Sequence, residues 1–421
     1  MSQRHYEIGS HESFPTLQPH SEAKHEVLRA YLQHYFDTLT LNPRRDTLRL
    51  TLVDGFAGYG HYNNHISKMV SGSPFIMLEE AVSAETRLNC ARDKKIAVDI
   101  SFVFVEKKKD VFLFLKTALE SSCYKALIDT KKIYLLNSSF QKAAPQIIQH
   151  ILNKTPKSGR SVFLLDQYGY AQVDTHLVKT ILHTLPSSEV ILTFNVDSFL
   201  NFVNDDNKAK ILGNIGLQSI PAMLQNRSIE NIKQNEADWR LFIQSALYPN
   251  LVSACGAKFY TLFFIRSEKG HGNYWLLHLS NHPTARDVMA QVHWDHSNYF
   301  IHYGEPGLNT FQVPVYSTRK ANRLFGFDRE AKEDSKDMML DQIPEIIRNI
   351  DRSVTFADLY ASTCNTTPAV AAMYKEALSL LASENYLEIR SKDGSIRKSS
   401  RSISSKDTIS IPNQRRFVFL R

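Results

Sequence analysis

Thr51-Leu-Val-Asp-Gly-Phe-Ala-Gly-Tyr-Gly60 is the stretch whose reading decides the fold. Arg49 to Val53 is apolar and β-branched enough for a buried strand. Asp54 to Gly60 then sets three glycines in seven residues, so the strand must end in a turn made largely of main chain. Gly58 and Gly60 carry no side chain to block an approach and adopt positive φ readily, which lets main-chain amides face a nucleotide-like group at the carboxyl edge of a sheet. A tight connection without a ligand would satisfy the same pattern.

The chain on either side repeats the theme. Upstream, Ser21 offers an N-cap and Val27, Leu28, Tyr31, Leu32, Tyr35, Phe36 and Leu39 recur at helical spacing, which predicts an amphipathic helix. Downstream, His61 to Ser71 is polar and reads as mobile, and Ser73-Pro74 opens a helix. Four further apolar runs follow: Ser101–Glu106, Ile133–Asn137, Ser161–Asp166 and Glu189–Asn195, with amphipathic helices after the first three. Continuously apolar strands alternating with helices predict a doubly wound, Rossmann-like parallel sheet covered on both faces. Its carboxyl edge should then gather Asp54, Glu106, Asn137, Asp166 and Asn195. Residues 199–248, with Trp239, read as a helical insertion. Phe259–Ile265 and Tyr274–Leu279, joined through Gly270-His-Gly272, read as a hairpin whose second member enters the sheet antiparallel, giving seven strands.

A sheet of that plan is typical of class I S-adenosylmethionine-dependent methyltransferases. More narrowly, Lys24, the DGFAGYG turn, Gly72-Ser-Pro74, Phe102-Val-Phe-Val-Glu106 and Leu164-Leu-Asp-Gln-Tyr-Gly-Tyr170 together resemble the three-Cys-motif partner (TcmP) family. That resemblance spans roughly residues 21–296. It implies S-adenosylmethionine as cofactor and a three-Cys-motif protein as partner. It also implies an amino-methyltransferase motif in which Asp166 and the carbonyl after it accept hydrogens from a target amine while Tyr168 stacks on a base. Gln167 stands where the family usually has proline, so the rigid φ is lost and its carbonyl kept. The catalytic set is therefore Asp166, Gln167 and Tyr168. The same carry-over gives a cofactor set of Asp54, Phe56, Ala57, Gly58, Gly60, Glu106, Ser138, Ser139, Phe140 and Lys24, with Glu106 on the ribose hydroxyls. The alternative is a methyltransferase-like scaffold without turnover that binds its partner protein.

With 421 residues, 43% of them hydrophobic and 22% charged, the chain can fill two or three globular cores. No apolar run is long enough to span a bilayer and the first residues lack a signal-peptide core, so a cytoplasmic protein is expected. Cys90, Cys123, Cys255 and Cys364 form no CxxC pair, and His293 with His296 has no third ligand in prospect, so no metal site is expected. Tyr59, Tyr62, Tyr168 and Tyr170 could each be core or part of a stacking platform.

The formal charge of +7 sits at one end: from Arg390 to Arg421 there are nine basic residues against Asp393 and Asp407. Helices after Gly326, a strand at Asn385–Ile389, a basic serine-rich loop and a strand at Arg416–Leu420 read as a winged helix. Arg397, Lys398 and Arg401 in its wing are candidates for nucleic-acid phosphates, DNA and RNA undistinguished. The expected organisation is a loose arm over 1–20, a methyltransferase-like domain over 21–325 and a winged-helix domain over 326–421.

Overall fold

A computed structural model describes residues 14–412 apart from 43, 91, 218–226, 236–238, 266–273, 297–300, 304–306, 309–323 and 327–328. The chain divides into two compact units, Met1–Val288 and Met289–Arg421.

In the first unit the order is α1 (Pro19–Leu39), β1 (Thr47–Asp54), β2 (His61–Asn63), β3 (Met69–Ser71), α2 (Ser73–Cys90), β4 (Ala97–Glu106), α3 (Lys109–Glu120), α4 (Lys125–Asp129), β5 (Ile133–Asn137), α5 (Phe140–Lys154), β6 (Ser161–Leu165), α6 (Thr175–Thr184) and β7 (Ser188–Asn195). Then come α7 (Val196–Phe202), α8 (Lys208–Asn214), α9 (Ile229–Asn235), α10 (Trp239–Cys255), β8 (Phe259–Ile265) and β9 (Tyr274–Ser280), so the insertion is helical; α11 (Pro283–Asp295) carries the chain from the first unit into the second. The large sheet has the order β5-β4-β1-β6-β7-β9-β8, with β9 alone running antiparallel to the other six. This is the seven-stranded methyltransferase-like sheet expected from the sequence, with the second hairpin strand antiparallel beside β7. The turn expected at Gly270-His-Gly272 lies outside the described residues.

β1 is central, paired with β4 and β6, and its last five residues are buried, because a strand covered on both faces has no solvent side. α1 buries Val27, Leu28, Tyr31, Leu32, Tyr35 and Phe36 along one stripe. The helix starts earlier than the Ser21 cap suggests: Gln18 is its N-cap and Pro19, whose ring presets helical φ, opens it. The chain just before it is not loose either, since Leu17 N–H donates to Asn63 O at 2.7 Å and Thr16 bridges Asn63. Accordingly His61–Ser71, read as mobile, contains the β2–β3 hairpin. Beyond the other end of α1, Arg92 donates to the carbonyls of Thr40, Asn42 and Arg45 and so holds the turn that leads into β1. Arg29 ties α1 to Glu79 and Glu80 of α2 at 2.8 and 2.7 Å. A buried polar cluster joins Tyr31 of α1 to Glu189 of β7 and His278 of β9, with His278 Nε2 2.9 Å from the Glu189 carboxylate.

The second unit carries β10 (Ile301–Tyr303) paired antiparallel with β11 (Leu324–Gly326). After them come α12 (Arg329–Ile350), β12 (Val354–Thr355), α13 (Phe356–Thr363), α14 (Ala371–Ser383), β13 (Glu388–Arg390) and β14 (Thr408–Ser410). β12, β14 and β13 form a three-stranded antiparallel sheet under the helices, a winged helix with its wing between β13 and β14. Thr355 caps α13 by accepting from Asp358 N–H at 3.1 Å. The strand that closes the wing is Thr408–Ser410; the one expected at Arg416–Leu420 lies outside the described residues. Among the described residues no helix is long and apolar enough to cross a membrane.

Candidate functional site at the carboxyl edge of the sheet

The glycine turn is sewn to both neighbouring strands. Gly55 N–H donates to Leu164 O and Ala57 N–H to Val105 O, each at 2.9 Å, while Phe56 N–H returns to Asp54 Oδ1 at 3.0 Å. Gly58 has φ +61° and a Cβ there would strike the Tyr62 hydroxyl; Gly60 has φ +82° and its Cβ would meet Leu115 and Phe75. Both positions therefore need glycine for conformation and for space. Gly58 N–H donates to Glu106 Oε2 at 3.1 Å, and Lys108 N–H to Glu106 Oε1 at 2.7 Å, so the acid ending β4 faces the turn.

Three carboxylates feel one another here. Burial pushes the Asp54 carboxyl up to about 7 against the Ser73 hydroxyl and the Phe56 N–H, with the charges of Asp166 and Glu106 adding to the rise. Asp54 Oδ2 is buried without a hydrogen-bond partner. Burial would raise Asp166 as well, but Lys24 outweighs it by charge and hydrogen bonding and holds this carboxyl below its usual value. The Lys24 ammonium donates to both Asp166 oxygens, at 2.6 and 2.7 Å, with side chains 11% and 25% exposed. It also lies 5.4 Å from the Tyr274 ring centre. Lys24, expected in the cofactor set, is thus engaged by the Asp166 carboxylate. Its neighbour His25 is buried, which pushes the imidazole down to about 4 and leaves it neutral. Lys24, His25, Asp166 and Thr193 line a cavity of about 10 Å³, close to the room for one water.

The other two strand ends work locally. Asn137 Nδ2 donates to Glu106 O at 2.9 Å, and Asn195 caps α7 by accepting from Ser198 N–H at 2.9 Å. Ser138 and Ser139 are half-buried at the start of α5, whereas Phe140 is buried beneath Gly55, where a Cβ would touch its ring at 2.9 Å. Phe56 is half-buried and Ala57 buried in the turn itself.

Gln167 is 2% exposed and points inward: its Oε1 accepts from Gln172 N–H at 2.8 Å and Val173 N–H at 3.0 Å. Gln172 Nε2 in turn donates to Tyr168 O at 2.7 Å. Two glutamines thus brace the loop after β6 where a proline would have stiffened it. Tyr168 is 89% exposed on that loop. The four tyrosines do not share one surface: Tyr170 packs on Phe194 and Phe199, and Tyr59 sits between Tyr62 and Phe114. The placement of Tyr62, beside Gly58 and electrostatically coupled to all three carboxylates, was not legible; it comes from a hairpin strand of three residues, too short to show a period.

In the winged unit, Lys398 and Arg401 are exposed, but Arg397 Nε lies 3.7 Å from the buried Asp407 carboxylate and so braces the wing from within. His293 is buried on α11, and among the described residues no group of three His, Cys, Asp or Glu could hold a metal.

The GMT-like wHTH domain family model matches residues 316–394. That span covers most of the winged helix up to the tip of its wing. No curated protein matches the sequence. Among solved structures, Trm1 from Pyrococcus horikoshii in complex with S-adenosyl-L-methionine is similar over 92% of this chain and 91% of its own, at 8% identity and TM-score 0.29. A Legionella pneumophila protein of family-model DUF519 is similar over 66% of this chain and 92% of its own, at 8% identity and TM-score 0.35.

Proposed function

We propose that the first unit is an S-adenosylmethionine-dependent methyltransferase of amines, its target an exocyclic nitrogen on a nucleic-acid base. The observation that carries this is the meeting of Glu106 with Gly58 N–H at the carboxyl edge of a sheet of this order, with Asp166 directly after β6 on the other side of β1. The residues fit such a cofactor. Asp54 keeps an orphaned buried oxygen, Gly58 and Gly60 leave main chain uncovered, and each Glu106 oxygen accepts one N–H and retains a lone pair for a ribose hydroxyl. Phe56, Ala57, Ser138, Ser139 and Phe140 would shape the rest of that seat.

When bound, S-adenosylmethionine supplies an electrophilic methyl group on a sulfonium. Asp166 and the main-chain carbonyl of Gln167 accept hydrogens from the target amine and so direct its lone pair. With Lys24 holding its pKa down, Asp166 is suited to accept a hydrogen bond rather than to keep a proton. Tyr168, exposed on the braced loop, is available to stack on the base. A second reading, a scaffold for a three-Cys-motif partner, is favoured by the same ion pair, since Lys24 already engages both acceptor oxygens.

Calorimetry is the first test. S-adenosylmethionine or its homocysteine product should bind, and Glu106→Ala should weaken binding by about 1.5–3 kcal/mol, the worth of a charge-assisted hydrogen bond. Folded protein that binds neither would overturn the cofactor assignment. A labelled-methyl assay over DNA, RNA and protein extracts then separates the readings. Asp166→Asn should keep cofactor affinity and abolish transfer, whereas wild type that binds cofactor and labels nothing, even with the partner protein present, is the scaffold.

A further inference from the structure

In most winged helices that bind a duplex, the third helix reads base edges in the major groove while the wing holds phosphates. Here the third helix, α14, has the sequence AAMYKEALSLLAS, in which Lys375 stands alone among the arginine, lysine, asparagine and glutamine side chains that pair with guanine or adenine. Its outward polar groups are also spent inside the unit. Glu376 pairs with Lys336 of α12 at 2.9 Å and Lys375 lies 5.4 Å from the Phe356 ring centre. Ser379 donates to the Lys398 carbonyl and Ser383 to Leu380 O. What remains outward is Leu380, 54% exposed.

The wing has the opposite character. Lys392, Lys398, Arg401 and Lys406 are exposed on the single excursion from β13 to β14, and none pairs with a carboxylate among the described residues. The acids nearby are occupied: Asp393 accepts from Ser391 and Ser395, and Asp407 accepts from Ser404 and faces Arg397. Four free cations among exposed serines suit phosphate oxygens, which carry no sequence information.

We propose that the winged unit grips the phosphate backbone of a nucleic acid through Lys392, Lys398, Arg401 and Lys406 and reads no base edges through α14. This rests on the nucleic-acid reading above and assigns base selection to the first unit. The test is fluorescence anisotropy of the full chain with three unrelated 20-base-pair DNA duplexes and one RNA duplex over a salt series. Affinities for the three DNA sequences should agree within about threefold, whereas one base-reading side chain discriminates by roughly 5- to 150-fold. Changing all four wing cations to Gln should make the log–log salt slope shallower by about 0.9 for each phosphate no longer neutralised, so by up to roughly 3.6. Leu380→Ala should leave affinity within about twofold. Unchanged thermal unfolding of the wing variant confirms that a lost slope is not lost structure, since all four side chains are exposed. A wing variant with the wild-type slope, or a sequence preference abolished by Leu380→Ala, overturns the inference while the nucleic-acid reading survives. A chain that binds no duplex at low salt overturns both.

Discussion

Lys24→Met removes the cation from a pair that α1 and the end of β6 build across the first unit, and its cost follows from the geometry. Two short charge-assisted hydrogen bonds are lost, and a carboxylate three-quarters buried stays behind without compensation. Breaking a fully buried pair costs about 3–5 kcal/mol, and the partial exposure of Asp166 reduces this to roughly 2–3 kcal/mol at pH 7. Asp166→Asn in the Lys24→Met background should restore at least half, because no unpaired charge then remains. The pH dependence has a definite sign. The folded-state pKa of Asp166 is depressed, so the pair's contribution is present above the unfolded value of 3.8 and fades as pH falls through the lower folded value. In Lys24→Met the largest opposition to burial is gone and that carboxyl rises, so protonation relieves the variant first, and its deficit against wild type should shrink between pH 7 and pH 4. Urea unfolding fitted as two transitions is the assay, since a chain of two compact units need not unfold in one step. The second unit's transition should not move. A deficit below about 0.5 kcal/mol at pH 7, or one that Asp166→Asn leaves uncorrected, refutes the account of the pair as a stabilising tie.

Asp54 should give the reverse trend. Its carboxyl is raised from 3.8 to about 7, so the folded state holds a proton that the unfolded chain releases. First-unit stability should fall by as much as roughly 1.4 kcal/mol per pH unit between those values, and Asp54→Asn should flatten that slope in the same urea series. Gly58→Ala combines a left-handed φ with a collision, and should cost about 1–3 kcal/mol. Tyr62→Phe in the same chain should recover only the collision, leaving the conformational part measurable.

The five parallel strands were legible because strands covered by helices are apolar along their length, and each such run ends at a polar residue at the carboxyl edge of the sheet. Glu106 and Asp166 were found in that way. What stayed hidden follows from short or tertiary determinants. The β2–β3 strands are three residues each, α4 buries none of its residues, and the closing strand Thr408–Ser410 has one apolar residue, less conspicuous than Phe417-Val-Phe-Leu420. Phe140 after a strand reads equally well as a ligand contact or as core, and only its packing under Gly55 distinguishes them. Arg397 looks like its neighbours Lys398 and Arg401 until the fold brings Asp407 to it.

The bracing of the loop after β6 has a consequence for how that loop can vary. Gln167 accepts from the main-chain N–H groups of residues 172 and 173 and touches neither side chain to do so. A proline stiffens a loop at one torsion angle, but this glutamine fastens it at two amides five and six residues away, and those amides are present whatever the side chains are. Proline at 172 or 173 would delete a donor, and the positions carry further demands of their own: the Gln172 side chain holds Tyr168 O and Val173 is buried. The loop's outline and its surface chemistry are therefore partly separate: the exposed side chains of Tyr168 and Ala171 can change while Asp166 stays where the sheet has put it.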